Sequence, residues 1–194
     1  MEYKFLPQII NYDGTQLRSL YAYMNHGILG DSIISFQGAC DISFEHMVDG
    51  EDVLAGSAIR GDSMLHFIIE EFGSSLAHAV TRQRYFAALA FEEILKHLKT
   101  KFESSPHLIK EFYREGDDLY FGEKKLSISI ATVSAVSSLI HFALNITNEN
   151  TPVKTFSLND INLDFKVFSQ ALGSRYVNEM ATMKQACCKV RSVL

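Results

Sequence analysis

Leu119-Tyr120-Phe121-Gly122-Glu123-Lys124-Lys125-Leu126-Ser127-Ile128-Ser129-Ile130-Ala131-Thr132 and, a few residues later, Leu139-Ile140-His141-Phe142-Ala143-Leu144-Asn145-Ile146-Thr147 carry the clearest β signal in this chain. Phe121-Gly122-Glu123-Lys124 reads as a tight turn inside the first stretch, so together they predict a three-stranded meander. Successive strand residues point to opposite faces of a sheet. Leu126, Ile128 and Ile130 are therefore expected on one face, with Lys125, Ser127 and Ser129 on the other. In the next strand Ile140, Phe142, Leu144 and Ile146 form the heavy face, leaving His141, Ala143, Asn145 and Thr147 opposite. Each of the two neighbouring strands should thus pack one face and present a small, polar one.

Outward from the meander, Ala87, Phe91, Ile94, Leu98 and Phe102 recur at intervals of three and four, predicting an amphipathic helix from about Ser75 to Phe102. Lys96, Lys99 and Lys101 suit its carboxyl end. A second helix is expected from about Phe165 to the end, capped by Asp164 and apolar along Phe165, Phe168, Leu172, Met180, Met183, Cys187 and Val190. Gly173 inside it costs about 1 kcal/mol relative to Ala, which predicts close packing or a kink there. Earlier, strands are expected at about Phe5 to Ile10, ended by Tyr12-Asp13-Gly14, and at Ser32 to Gln37, with a short helix from about Gln16 to Asn25 between them. Met64 to Phe72 fits a helix or a strand; its shortness and the preceding Gly61-Asp62 favour a strand.

No repeat, low-complexity tract or Pro-rich linker divides the 194 residues, so one α+β domain over 1–194 is expected, a mixed, largely antiparallel sheet packed by helices. Hydrophobic residues at 47% and charged residues at 21% suit a globular core that needs no disulfide or metal staple. A net charge of -5 gives no electrostatic reason to expect nucleic acid or a membrane as partner. Met1 to Asn11 has neither a basic start nor a long apolar run, and no stretch of about 18 apolar residues occurs, so a cytoplasmic protein is expected. Cys40, Cys187 and Cys188 lack zinc-finger spacing and read as buried or free thiols.

Gly116-Asp117-Asp118-Leu119-Tyr120-Phe121-Gly122-Glu123-Lys124-Lys125-Leu126-Ser127 resembles the stretch of lipoate-protein ligases in which Asn-Asp-Leu precedes a turn and then Gly-Arg-Lys-Ile-Ser-Gly. His141-Phe142-Ala143-Leu144-Asn145-Ile146 is similar to the His-Gly-Phe-Ala-Leu-Asn-Val of octanoyltransferases and the Gly-Ile-Gly-Ile-Asn-Val of biotin ligases. Upstream, Ile33-Ile34-Ser35-Phe36-Gln37-Gly38 resembles the ligases' Val-Val-Ile-Gly-Arg-Phe-Gln strand, and Ile59-Arg60-Gly61-Asp62 looks like a reduced form of their Arg-Arg-x-Ser-Gly-Gly-Gly loop. The order of the four segments agrees as well. The chain as a whole resembles a small family of archaeal and bacterial proteins of unknown function with this fold, in Tyr12-Asp13-Gly14, Arg18-Ser19, Gly27 to Ser32, Gly61-Asp62, His66 and Lys125 to Thr132. The resemblance implies a biotin/lipoate protein ligase-like fold, in the superfamily of class II aminoacyl-tRNA synthetases and biotin synthetases.

That resemblance sets Asp118 on the ligases' aspartate and Lys125 on their catalytic lysine. It implies a small carboxylic acid or nucleotide as ligand, ATP as the cofactor if adenylation survives, and a protein acceptor. A fixed ammonium beside developing negative charge is worth several kcal/mol in a dry site. Arg60 and Arg18 are candidates for phosphate or carboxylate, since a guanidinium offers two parallel hydrogen bonds. Asp31, Gly61, Asp62, His66, Ser127, Ser129, Thr132, His141 and Asn145 complete the expected substrate site. The chain departs from the ligases where Ile128 replaces the glycine after Lys-Ile-Ser and where Gly61 alone remains of the triple-glycine loop. Residues 147–163 contain no cysteine, so the cysteine-mediated transfer of octanoyltransferases is not expected. Two alternatives stand beside the enzyme: a non-catalytic small-molecule binding protein on the same fold, and metal-dependent chemistry at Asp31, Asp62 and His66, of which the last two sit four residues apart on one side of an element. The competing reading of Gly30-Asp31-Ser32 and Gly61-Asp62-Ser63 is turn chemistry, and no resident metal is assigned.

Overall fold

The computed structural model describes residues 1–101 and 106–193. In chain order the elements are β1 (Glu2–Leu6), α1 (Tyr21–His26), β2 (Ser32–Ile42), α2 (Gly50–Ala55), β3 (Ile59–Phe72), α3 (Leu76–Lys101), α4 (Pro106–Glu111), β4 (Phe112–Glu115), β5 (Asp118–Phe121), β6 (Lys124–Lys125), β7 (Ser127–Val133), β8 (Ser137–Asn145) and α5 (Phe165–Lys189). A five-stranded sheet runs β1-β2-β3-β8-β7, and a three-stranded sheet runs β4-β5-β6. Only β1 and β2 are parallel; the other pairings of the large sheet are antiparallel. The α+β architecture is as expected, and Met64 to Phe72 does lie in a strand, β3, which starts earlier, at Ile59.

Helices α3 and α5 cover one face of the large sheet. Ile33, Leu65, Phe67, Ile140, Phe142 and Leu144 of the strands meet Phe86, Ile94 and Leu98 of α3 and Phe168, Leu172 and Tyr176 of α5. Phe86 sits edge-on to Phe67, Phe142 and Tyr176, an arrangement that suits the ring quadrupoles. The opposite face carries a second cluster with Ile34, Phe36, Met64, Ile68 and Ala143, covered by Tyr12, Tyr21, Ala22 and Ile28 from the β1–β2 connection. Its cover stops short of β7 and the ends of β3 and β8, leaving a hollow.

Several expected boundaries move, for physical reasons. The first strand is Glu2–Leu6 rather than Phe5 to Ile10, because Pro7 ends the pairing with β2. The helix expected from Gln16 begins only at Tyr21: Leu20 is left-handed, and its N–H donates to the Glu70 carboxylate at 2.8 Å, a tertiary bond that competes with helix. The meander is split between two sheets. Leu126 is the switch, donating its N–H to Leu119 O while Asn145 N–H donates to Leu126 O. Phe102 lies outside the described residues.

Helix α5 starts where Asp164 accepts hydrogen bonds from the N–H groups of Lys166 and Val167. Its apolar stripe is correct at Phe168 and Leu172, but Cys187 and Val190 are exposed, because the helix outruns the sheet it packs on. Gly173 answers to close packing: a Cβ there would stand 2.3 Å from the Tyr3 ring, whose hydroxyl bonds Ser35 and Ser169. Gly173→Ala is therefore expected to lose roughly 1–3 kcal/mol despite alanine's better helix propensity. Urea denaturation checks this, and Tyr3→Ala in the same chain should remove most of the penalty specific to Gly173→Ala. Among the described residues no helix is long and apolar enough to cross a membrane.

Candidate functional site

The hollow is a cavity of about 460 Å³ between the uncovered end of the large sheet, the β2–β3 connection and the segment around Thr151–Thr155. Lys125 lies on its wall. Its Nζ stands 2.7 Å from Asp118 Oδ2, with the lysine side chain 33% exposed. Strand β5 and strand β6 pair as a two-residue hairpin, Phe121 with Lys124 and Tyr120 with Lys125, which brings Asp118 and Lys125 to one side. Burial pushes the Asp118 carboxyl up, against the downward pull of Lys125.

Asn145 fixes the lysine's backbone. Its side-chain amide donates to Lys125 O and to Phe156 O, both at 3.2 Å, while Lys125 N–H donates to Lys154 O. Asn145 also lines the cavity, but its side-chain N–H donors are committed to the backbone of Lys125 and Phe156. Ser127 and Ser129 border the cavity with their hydroxyls turned elsewhere. Ser127 Oγ accepts from Leu119 N–H, and Ser129 Oγ accepts from Gln83 Nε2 of α3 while donating to His141 O.

Those serines correct the expected strand faces. Ser127 pairs with Leu144 and Ser129 with Phe142, so both lie on the helix-covered side, whereas Ile128 and Ile130 pair with Ala143 and His141 on the cavity side. The polar face of β7 and the polar face of β8 are on opposite sides of the sheet. Small hydroxyls fit beneath α3, and the isoleucines supply an apolar wall.

At the base of the cavity His141 is joined to a second imidazole, His66, which lies behind it on the adjacent strand and does not itself line the cavity. His66 Nδ1 is 3.0 Å from His141 Nε2, and His66 Nε2 is 3.2 Å from Gly38 O. Both residues are buried, His66 fully and His141 to 2% exposure. The Tyr12 ring stacks on His141 with centroids 3.8 Å apart, and Phe36 stacks on His66 at 5.2 Å. Burial lowers His66 to about 4, and burial with the neighbouring His66 lowers His141 well below 6.5. Both rings are therefore neutral near pH 7. Tyr12, reached by a bridge to Cys40 rather than by any strand, belongs to this site although its sequence context announced only a turn. Its burial raises the phenol, which stays protonated.

The remaining expected residues disperse. Arg60 lines the cavity but is mostly exposed and paired with Asp41 at 3.2 Å. Gly61 and Asp62 border a separate shallow hollow, where Asn150 donates to the Asp62 carboxylate. Arg18 is exposed, with its guanidinium 5.9 Å from the Tyr21 ring. Thr132 is half-buried on β7 outside the cavity lining. Asp31 accepts from Phe72 N–H at the far end of β3. Since His66 pairs with Phe36, five residues along β2 from Asp31, the two are roughly 17 Å apart along the strand. Asp31, Asp62 and His66 thus do not converge, and among the described residues no three His, Cys, Asp or Glu side chains are grouped to hold a metal ion.

The family described as "Domain of unknown function (DUF366)" matches residues 1–191. The chain belongs to it. This DUF366 chain is 28% identical over 183 residues to "Uncharacterized protein MJ0805" of Methanocaldococcus jannaschii, covering 91% of this chain and 78% of the relative. A solved structure, "Protein of Unknown Function from Pyrococcus horikoshi", is 35% identical with a TM-score of 0.84, over 99% of this chain and 100% of that one. Biotin protein ligase of Leishmania major, solved in complex with Biotinyl-5-AMP, superposes with a TM-score of 0.57 at 12% identity, over 94% of the DUF366 chain and 75% of its own. At that identity the likeness carries the fold alone, and the fold is that of the biotin and lipoate protein ligases.

Proposed function

We propose that this DUF366 protein is a ligase- or acyltransferase-like enzyme that holds a small carboxylic acid in the cavity, with Lys125 stabilising the negative charge that develops on activation. The observation that carries this reading is the Lys125 ammonium on the cavity wall, oriented by Asp118 at 2.7 Å and anchored through Asn145. A concave ligand space and a pre-oriented cation are what electrostatic catalysis builds on. The ligands bound in solved biotin protein ligases of this fold, biotin with ATP and Biotinyl-5-AMP, support a carboxylate activated by ATP, with an acceptor protein as the proposed destination.

A second reading has its own support. Both cavity cations are already engaged, Lys125 by Asp118 and Arg60 by Asp41, and only Gly61 stands where the ligases have a glycine-rich loop. These features suit a binding protein that keeps the pocket without adenylation.

Pyrophosphate release from ATP, measured with biotin, lipoate and a panel of small acids, separates the two. The enzyme reading expects acid-dependent release that falls on the order of 100-fold in Lys125→Met. Stability should change by less than about 1 kcal/mol, the usual worth of a partly exposed ion pair. Ligand-induced stabilisation of wild type without pyrophosphate release selects the binding protein. Neither effect with any acid rejects both.

A further inference from the structure

We propose that the cavity floor recognises a hydrogen-bond donor on the ligand, an N–H or O–H of a neutral or cationic group, through Nδ1 of His141. The inference rests on the cavity being the ligand site, and it specifies the part of the ligand remote from Lys125. A carbonyl oxygen only accepts, so His66 Nε2 carries the proton that Gly38 O receives. A neutral imidazole has one N–H, which leaves His66 Nδ1 as an acceptor and obliges His141 Nε2 to donate to it. His141 Nδ1 is then a bare lone pair. The chain of two tautomers is fixed by one backbone carbonyl.

That lone pair has no hydrogen-bond partner among the described residues. It is also not sealed: His26 Nε2 is the buried side-chain nitrogen or oxygen without a partner among the described residues, and His141 lines the cavity. Tyr12 stacked on one side prevents the ring from turning away, and the floor beside it is apolar, with Met64 and Ile128. An acceptor held in this way favours a ligand donor and repels the lone pairs of an anion. The rim adds to the preference. Asp49, Glu51, Asp52, Asp117 and Asp118 line the cavity against two cations, Arg60 and Lys125, both paired. The substrate class that follows is a small acid whose far end carries an amide, amidine, ring N–H or hydroxyl.

The test uses full-length protein labelled with nitrogen-15 histidine and four probes sharing one ring: benzamidine, benzamide, N,N-dimethylbenzamide and benzoate. Near neutral pH both His66 and His141 should show the Nε2–H tautomer. Benzamidine and benzamide should shift the His141 Nδ1 resonance towards that of a hydrogen-bonded acceptor, with benzamidine binding at least as tightly. The dimethyl amide and benzoate should leave it unmoved, with affinity at this position on the order of tenfold weaker. His141→Phe, which keeps a ring against Tyr12, should abolish the difference between benzamide and its dimethyl derivative. A proton on His141 Nδ1, no shift with any probe, or equal shifts with benzamide and the dimethyl amide would overturn the proposal. Loss of pyrophosphate chemistry leaves these shifts untouched, so this proposal and the enzyme reading fail separately.

Discussion

Gly38→Ala is expected to destabilise the protein by roughly 3 kcal/mol or more, enough to lower the yield of folded chain sharply. A Cβ at position 38 would lie 1.8 Å from Ile10 O and 2.5 Å from Ile10 C, backbone atoms with no rotamer by which to retreat. That segment is tied to β2 on both sides of the contact. Ile10 N–H donates to Gln37 O, Tyr12 N–H to Ala39 O, and Asp41 N–H to Tyr12 O. Moving it breaks these bonds or shifts the strand. The register of β2 against β3 slips between Gly38 and Cys40, so the glycine sits at an irregularity that admits the crossing chain. The consequence reaches the candidate site, because Gly38 O orients His66 and the Ile10–Tyr12 segment delivers the ring stacked on His141. Urea denaturation of Gly38→Ala beside Gly27→Ala is the measurement. At Gly27 nothing lies within 4 Å of the added carbon, so its cost comes from the positive φ alone. A Gly38→Ala midpoint equal to wild type would show that the crossing is not tight.

What could be read in advance, and what could not, follows from the same contrasts. Alternation in β8 identified its heavy face correctly, because Ile140, Phe142 and Leu144 all point to the helices. The same alternation in β7 found two faces but attached the wrong one to the core. Periodicity labels sides and does not say which side a helix will cover; Gln83, bonded to Ser129 from α3, decided that, and it lies over forty residues away. Lys125 was legible because a turn before it and the Asp118 to Ser127 pattern are local, and the hairpin register delivered their ion pair. Alternation and the ligase-like His141 to Ile146 segment together single out His141, with Asn145, on one face of its strand. That it pairs with His66 depends on their adjacent positions along neighbouring strands: Ala143 faces His66 and His141 faces Ile68, a register no short motif encodes. Arg18 is expected at the site for its guanidinium, and Asp31 and Asp62 as members of Gly-Asp-Ser tripeptides, yet Asp31 accepts from a strand-end N–H, Asp62 is held by Asn150, and Arg18 stands 5.9 Å from the Tyr21 ring. Tyr12 is legible only as part of a turn and of the family pattern, since nothing local distinguishes a buried tyrosine ahead of Asp-Gly from an exposed one.

Acidification provides the second large effect. The stability of the protein is expected to fall by about 3 kcal/mol from His66 alone as pH drops from 6.5 towards about 4, the interval between its ordinary value and its value in the fold. Within that window the unfolded chain binds a proton at this imidazole that the folded chain refuses, so stability rises with pH and the contribution is complete above 6.5. His141, lowered well below 6.5, and His26, lowered by burial and by Lys4, act in the same direction. The carboxylates do not mimic this. Asp13 and Glu93 are lowered from 3.8 and 4.5, so their loss begins below those values, and Asp118 is raised, which opposes it. Protonation of His66 also breaks the tautomer chain, since its Nδ1 then becomes a donor and can no longer accept from His141 Nε2. Unfolding free energies between about pH 7 and pH 4.5 should therefore slope by at least about 1.4 kcal/mol per unit below 6.5, one proton or more taken up on unfolding. A flat profile through that range would mean that the two imidazoles are hydrated or already charged in the fold, and the neutral acceptor at the cavity floor would go with them.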